Sequence, residues 1–143
     1  MDINFDFRGE HPKRILVIDD DEAYAEMIRE LLRDKIKNCD VSITQDGYEA
    51  LVLLGEFKPE LVVLDLMMPG IDGFKVLELI ANRKTDHPMK VLVLSGNVSN
   101  AAVERLKSSQ ADYWLAKPVS IAELLHSVLN LLSSEDPGGR GFS

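Results

Sequence analysis

The chain has 143 residues, 45% of them hydrophobic and 28% charged, a composition that fits one globular domain and excludes a long disordered segment. Its net charge of −8, without any block of Lys or Arg, argues against direct binding to nucleic acid. No apolar run approaches the roughly 20 residues that span a bilayer, the N-terminus lacks a signal-peptide pattern, and the single cysteine, Cys39, cannot form an internal disulfide, so we expect a cytoplasmic protein without a membrane segment.

In chain order, the sequence divides into an arm, a body and a tail. Residues 1–12 are mixed polar and aromatic and end at Pro12, which predicts an N-terminal arm. Residues 13–132 form a body in which short apolar runs alternate with segments of helical period. Residues 133–143 are rich in Ser, Gly and Pro, which indicates a flexible tail or the start of a linker.

Five apolar runs in the body predict strands, and five amphipathic segments predict helices. The runs lie at residues 15–18, 41–44, 61–64, 91–94 and around 113–116. The predicted buried helix faces are Tyr24, Met27, Ile28, Leu31 and Leu32; Ala50, Leu53, Leu54 and Phe57; Val76, Leu77 and Ile80; Val103 and Leu106; and Ile121, Leu124, Leu125, Val128, Leu131 and Leu132. Strands that are apolar on both sides of the pleat and alternate with helices indicate a doubly wound α/β fold with a parallel sheet.

Polar side chains stand at the carboxyl end of four predicted strands. Asp19 and Asp20 end the first strand, Asp65 the third, Ser95 the fourth and Lys117 the fifth. In a doubly wound sheet these ends meet at one edge, which is where ligands bind. Asp21, in contrast, is interpreted as a residue of the helix N-terminus rather than a ligand.

The charges of this predicted cluster indicate a chemistry. Two unit charges about 4 Å apart repel by about 4 kcal/mol at an effective dielectric of 20, so three carboxylates need a proton or a cation. Oxygen ligands suit a hard divalent ion, and Mg²⁺ is the usual one where a phosphate shares the site. Asp65 is then the natural nucleophile toward phosphorus, with Lys117 supplying positive charge and Ser95 a hydroxyl donor.

Four segments resemble the receiver domains of two-component signalling. They read ILVIDDDE, LVVLDLMMPGIDGF, VLVLSG and ADYWLAKP, and they stand in the order that this family shows. The resemblance implies a flavodoxin-like fold, with a five-stranded parallel sheet in the order 2-1-3-4-5 and five helices.

The same resemblance implies roles for individual residues. Asp65 would accept the phosphoryl group and also ligate Mg²⁺. Asp20 would bind the metal directly and Asp19 through water, and the backbone carbonyl of Met67 would complete the protein ligands.

Four further positions follow from the resemblance. Ser95 and Lys117 would each contact a phosphoryl oxygen, and Pro118 would follow a cis peptide bond that directs Lys117. Trp114 stands where the family has its switch aromatic, so Ser95 and Trp114 would form the conformational switch.

The implied function is that of a two-component response regulator: a phosphoacceptor switch rather than an enzyme. Its donor would be a sensor histidine kinase or a histidine phosphotransfer protein. Its output, a partner or domain that the sequence does not identify, would use the face formed by the fourth helix, fifth strand and fifth helix.

Two alternatives to this function stay open. A phosphatase of the haloacid dehalogenase type would carry its nucleophile at the first strand in a DxDx[TV] pattern, where this chain reads IDDDEAY. A pseudo-receiver would bind partners without ever taking a phosphoryl group, although Asp20, Asp65, Ser95 and Lys117 are all present.

Overall fold

A parallel sheet of five strands forms the centre of the computed structural model, which describes residues 5–6, 11–68, 71–83, 88–96 and 99–133. The strands are β1 (Lys13–Ile18), β2 (Cys39–Thr44), β3 (Leu61–Asp65), β4 (Lys90–Ser95) and β5 (Tyr113–Ala116). Their order is β2-β1-β3-β4-β5, and every neighbouring pair is parallel. The predicted flavodoxin-like fold class, its strand order and all five predicted strands are confirmed.

Five helices alternate with these strands along the described part of the chain. They are α1 (Glu22–Lys35), α2 (Gly47–Glu56), α3 (Gly73–Arg83), α4 (Asn100–Lys107) and α5 (Ile121–Ser133). None of the helices within the described ranges has the length and apolar character that a membrane crossing requires.

Two short pairings accompany the main sheet. Phe5–Asp6, within the predicted arm, pairs in parallel with Ile36–Lys37. Met67–Met68 pairs antiparallel with Ile71–Asp72 in the segment between β3 and α3. The predicted tail lies outside the described residues except for Ser133, which ends α5.

Side-chain caps start two helices directly behind the strands. Asp21 caps α1 by accepting a hydrogen bond from the Tyr24 backbone N–H at 3.1 Å, as its interpretation as a helix-start residue predicts. Asp46 caps α2 in the same way through the Tyr48 N–H at 2.9 Å. Such caps satisfy N–H groups that have no partner within the helix, and both helices begin just after the carboxyl end of a strand.

The chain passes close to itself where α3 begins. A Cβ atom on Gly73 would lie 2.6 Å from the Leu66 Cα and 2.7 Å from its carbonyl oxygen, so only glycine fits there. The Asp72 carboxylate accepts a hydrogen bond from the Phe74 N–H at 3.0 Å. The absence of a side chain on Gly73 therefore lets Leu66, the residue that follows Asp65, lie directly against the start of α3.

The core has two layers, one on each face of the sheet. Ile15 and Val17 of β1 pack into the layer under α1 and α5, whereas Leu16 and Ile18 pack into the layer under α2, α3 and α4. All residues of β3 and β4 are buried, as the apolar runs predict for strands covered on both faces.

Two residues of the predicted helix faces are exposed, and for them the prediction is wrong. Met27 is 44% exposed because the buried face of α1 runs through Ala25, Ile28 and Leu32 and leaves Met27 to one side. Ile121 is 60% exposed because it is the first residue of α5, one turn ahead of Leu124, where the buried face begins.

Candidate functional site

Three carboxylates converge at the carboxyl edge of the sheet. Asp19 and Asp20 follow β1, Asp65 ends the neighbouring strand β3, and one oxygen from each lies within 4.8 Å of the others. Asp19 and Asp65 are buried, at 1% and 4% exposure, whereas Asp20 is exposed. The parallel pairing of β1 with β3 thus brings together the acidic cluster that the sequence predicts.

Lys117 reaches into this cluster from the far side of β4. Its Nζ lies 3.2 Å from Oδ2 of Asp65 and 3.3 Å from Oδ2 of Asp19. Its backbone N–H donates to the Ser95 carbonyl at 2.9 Å, and the Lys117–Pro118 peptide bond is cis, as predicted. One ammonium group is therefore shared by two buried carboxylates.

Backbone donors orient the same two carboxylates. Oδ1 of Asp19 accepts the Asp21 N–H at 3.0 Å, and Oδ1 of Asp65 accepts the Met67 N–H at 3.0 Å. Each carboxylate therefore uses one oxygen for the backbone and turns the other toward Lys117.

The electrostatic balance of the site is negative. Burial, together with the nearby Asp65 charge, raises the pKa of Asp19 to about 6 in spite of the Asp21 N–H and the Lys117 ammonium. Burial lowers the pKa of Lys117, but Asp19 and Asp65 outweigh it, so the pKa lies above its ordinary value. The lysine is therefore charged at neutral pH, and it contacts two of the three carboxyl groups, those of Asp19 and Asp65.

Ser95, Trp114 and Met67 lie around this cluster in different positions. Ser95 ends β4 and is buried. Trp114 of β5 is half-buried, pairs in register with Val93, and packs against the core layer under α2, α3 and α4. Met67 is 57% exposed, two residues beyond Asp65. Ser95 thus stands at the edge of the site, and Trp114 stands on the adjacent strand.

Tyr24 also contacts the site, although the sequence indicates only that it belongs to the buried face of α1. The Lys117 Nζ lies over its ring, 4.4 Å from the centroid. The feature of the sequence that points to this contact is an aromatic residue in the first turn of a helix that begins at the carboxyl edge of the sheet.

Comparison with known proteins identifies the family. Residues 15–129 match the family model described as response regulator receiver domain. The chain belongs to this family. The receiver domain is 40% identical over 126 residues to response regulator MprA of Mycobacterium sp. (strain KMS), an alignment that covers 88% of this chain and 53% of that protein. It therefore spans about half the length of the curated relatives that it matches.

Solved structures show the same fold. The signal receiver domain of a response regulator from Bermanella marisrubri superposes with a TM-score of 0.76 at 34% identity, over 85% of this chain and 99% of that one. That of a DNA-binding response regulator from Colwellia psychrerythraea 34H gives a TM-score of 0.78 at 28% identity, again over 85% and 99%. Membership in the receiver family decides against the alternative of a haloacid dehalogenase-type phosphatase.

Proposed function

We propose that this receiver domain is a two-component response-regulator switch in which Asp65 accepts a phosphoryl group from a phosphohistidine donor. The main support is the buried Asp65 carboxylate, whose Oδ2 lies 3.2 Å from the Lys117 ammonium at the edge of the sheet. A carboxylate attacks phosphorus readily when nearby cations neutralise charge on the transferring group. One Asp65 oxygen forms the new bond to phosphorus as the bond between phosphorus and the donor nitrogen breaks.

The other residues of the site have separate roles in this transfer. Lys117 pairs with one phosphoryl oxygen, and the Ser95 hydroxyl donates to another. The backbone N–H groups of Asp21 and Met67 keep the Asp19 and Asp65 carboxylates in orientation, since both hydrogen bonds are 3.0 Å. These groups are held before the phosphoryl group arrives, so little reorganisation is needed during transfer.

The donor set fits a Mg²⁺ ion, because three carboxylate oxygens lie within 4.8 Å of one another and no softer ligand accompanies them among the described residues. Asp20 and Asp65 would bind the ion directly, Asp19 through water, and Met67 through its backbone carbonyl. When bound, the ion supplies positive charge that neutralises the carboxylates and the incoming phosphoryl group.

Mg²⁺ should stabilise the folded domain, and Asp20→Asn should largely abolish this stabilisation. A ligand that binds only the native state adds RT ln(1 + [L]/Kd), or about 1.4 kcal/mol at ten times Kd. Denaturation is measured with EDTA and with millimolar Mg²⁺. Asp34→Asn, which removes a carboxylate 73% exposed near the end of α1, is the control and should respond like the parent. A parent melting temperature unchanged by Mg²⁺ would count against the site.

Phosphorylation itself is tested by incubating the chain with acetyl phosphate and Mg²⁺ and measuring the intact mass. We expect one added phosphoryl group, released by hydroxylamine, and none in Asp65→Asn. If no adduct forms at a Mg²⁺ concentration at which the ion is bound, the domain is a pseudo-receiver. An adduct that persists in Asp65→Asn would place the phosphoryl group on another residue.

Trp114 should report the conformational change, because it is the single tryptophan and packs against the core layer beneath α4. In the proposed switch, Ser95 moves toward the phosphoryl group and Trp114 follows into the space that opens. Beryllofluoride with Mg²⁺, a mimic of phospho-Asp65, should therefore change the tryptophan emission of the parent and not that of Asp65→Asn. Identical spectra when binding is confirmed independently would mean that Trp114 is static.

The proposed partners follow from the same mechanism. The donor is a sensor histidine kinase or a histidine phosphotransfer protein, which places the reaction in the cytoplasm, where ATP feeds such donors. The output partner or domain binds the face formed by α4, β5 and α5.

The receiver domain assists its own phosphorylation and dephosphorylation and acts on no other substrate. The receiver domain itself extends over residues 13–132, between an arm at 1–12 and a tail or linker from 133.

A further inference from the structure

We propose that Tyr24 is a positioning residue for Lys117, whose ammonium it holds between the Asp19 and Asp65 carboxylates for phosphoryl transfer. The role in transfer rests on the proposed function, whereas the contact itself can be tested without it.

The geometry around the Lys117 ammonium supports this role. Its Nζ lies 3.3 Å from Asp19, 3.2 Å from Asp65 and 4.4 Å from the centroid of the Tyr24 ring. A cation within about 6 Å of an aromatic face is attracted by the negative charge density of that face. The two carboxylates and the ring thus contact the ammonium at three points, and the side chain is only 24% exposed.

Tyr24 is itself well placed to act as a fixed support. Its backbone N–H donates to the Asp21 carboxylate at 3.1 Å, and the Asp21 N–H donates to Asp19 at 3.0 Å. Its side chain packs against the core layer under α1 and α5. The Tyr24 backbone is therefore tied to the same turn that orients Asp19, and the core contact of the side chain restricts where the ring can move relative to that carboxylate.

The ring matters because a lysine side chain is flexible. Four methylene groups separate the ammonium from the backbone, and without lateral contacts the ammonium samples solvent as well as the site. Replacement of the ring by an aliphatic side chain keeps an apolar contact with the core but removes the cation–π attraction. We therefore expect slower transfer rather than its loss.

The contact is tested first by NMR of chains labelled with ¹³C-lysine. Protons close above an aromatic ring are shifted upfield, so the ε-methylene protons of Lys117, assigned by their disappearance in Lys117→Arg, should be shifted in the parent. Tyr24→Phe should retain the shift and Tyr24→Leu should lose it. Tyr48→Leu, at an 81% exposed tyrosine on α2, is the matched control and should leave it unchanged. Lys117 resonances that are the same in Tyr24→Leu as in the parent would overturn the contact.

The role is tested by the rate of phosphorylation from acetyl phosphate at saturating Mg²⁺. Tyr24→Leu should be about threefold to tenfold slower, as expected for a partly desolvated cation–π pair, and Tyr24→Phe should match the parent. In a Lys117→Met background, Tyr24→Leu should have no further effect, because the group that it positions is gone.

Two kinetic results would overturn the positioning role. One is a folded Tyr24→Leu chain that is phosphorylated as fast as the parent. The other is an equal slowing in the Lys117→Met background, which would indicate a purely structural effect. If the parent takes no phosphoryl group at all, both the proposed function and the role of Tyr24 in transfer are refuted. The NMR experiment still tests whether Tyr24 contacts Lys117.

Discussion

Lys117→Met should lower the rate of Asp65 phosphorylation by about a hundredfold at saturating acetyl phosphate and Mg²⁺. The Lys117 Nζ lies 3.2 Å from the oxygen of Asp65 that faces the site, where charge builds up on the transferring group. Loss of one preorganised group that stabilises such charge typically slows a reaction by about 10²–10³-fold. Stopped-flow measurement of Trp114 emission, or intact mass against time, gives the rate.

Lys107→Met is the matched control for this experiment. Lys107 lies in the last turn of α4, its side chain is 61% exposed, and it pairs with Glu104 on the same helix. We expect Lys107→Met to be phosphorylated at the parental rate. A Lys117→Met rate within a few-fold of the parent would mean that Lys117 has only a structural role at the sheet edge.

Asp19→Asn should make the metal-free domain more stable by about 1–2 kcal/mol at pH 7. Burial raises the pKa of Asp19 from 3.8 to about 6, so keeping this carboxyl group ionised at pH 7 costs roughly 3 kcal/mol of folding free energy. Asparagine removes that cost and keeps an oxygen for the Asp21 N–H. The pKa of about 6 already includes the attraction to the Lys117 ammonium, 3.3 Å away, so it is the burial of the asparagine amide that offsets part of the gain.

The pH dependence of this gain has a definite sign. Because the folded pKa lies above the unfolded one, the native state binds more protons between about pH 4 and pH 6. Ionisation of Asp19 therefore removes stability as the pH rises through that window, and the full loss is reached above about pH 6. The advantage of Asp19→Asn over the parent should be about 1 kcal/mol smaller at pH 5 than at pH 7.

Urea unfolding in EDTA at the two pH values measures this difference. Asp20→Asn is the matched control within the same cluster, because Asp20 is exposed and its carboxylate remains largely hydrated. We expect Asp20→Asn to change the metal-free stability by less than about 0.5 kcal/mol. If Asp19→Asn is less stable than the parent at both pH values, attraction to Lys117 outweighs the desolvation of Asp19.

Most of the site could be predicted from the sequence because parallel strands share a direction. Asp19, Asp65, Ser95 and Lys117 each follow a run of apolar residues, and the carboxyl ends of parallel strands meet at one edge. Short apolar runs are sufficient to locate the five strands, most clearly β3 and β4, in which every residue is buried and the apolar side chains do not alternate with polar ones. Met27 and Ile121 were assigned wrongly because apolar character alone does not show which side of a helix, or which of its turns, meets the sheet.

The sequence by itself determined the order of the elements, the fold class and the kinds of side chain at the edge of the sheet, because these depend on neighbours along the chain. Only the tertiary structure decided that Lys117 is shared between two carboxylates, that of Asp65, 52 residues away in the chain, and that of Asp19, 98 residues away. It likewise decided that the Tyr24 ring lies against the Lys117 ammonium. It also decided that Asp19 is buried while adjacent Asp20 is exposed. Such contacts depend on which strands lie side by side and on how far a flexible side chain reaches across them, and no local spacing in the sequence encodes either.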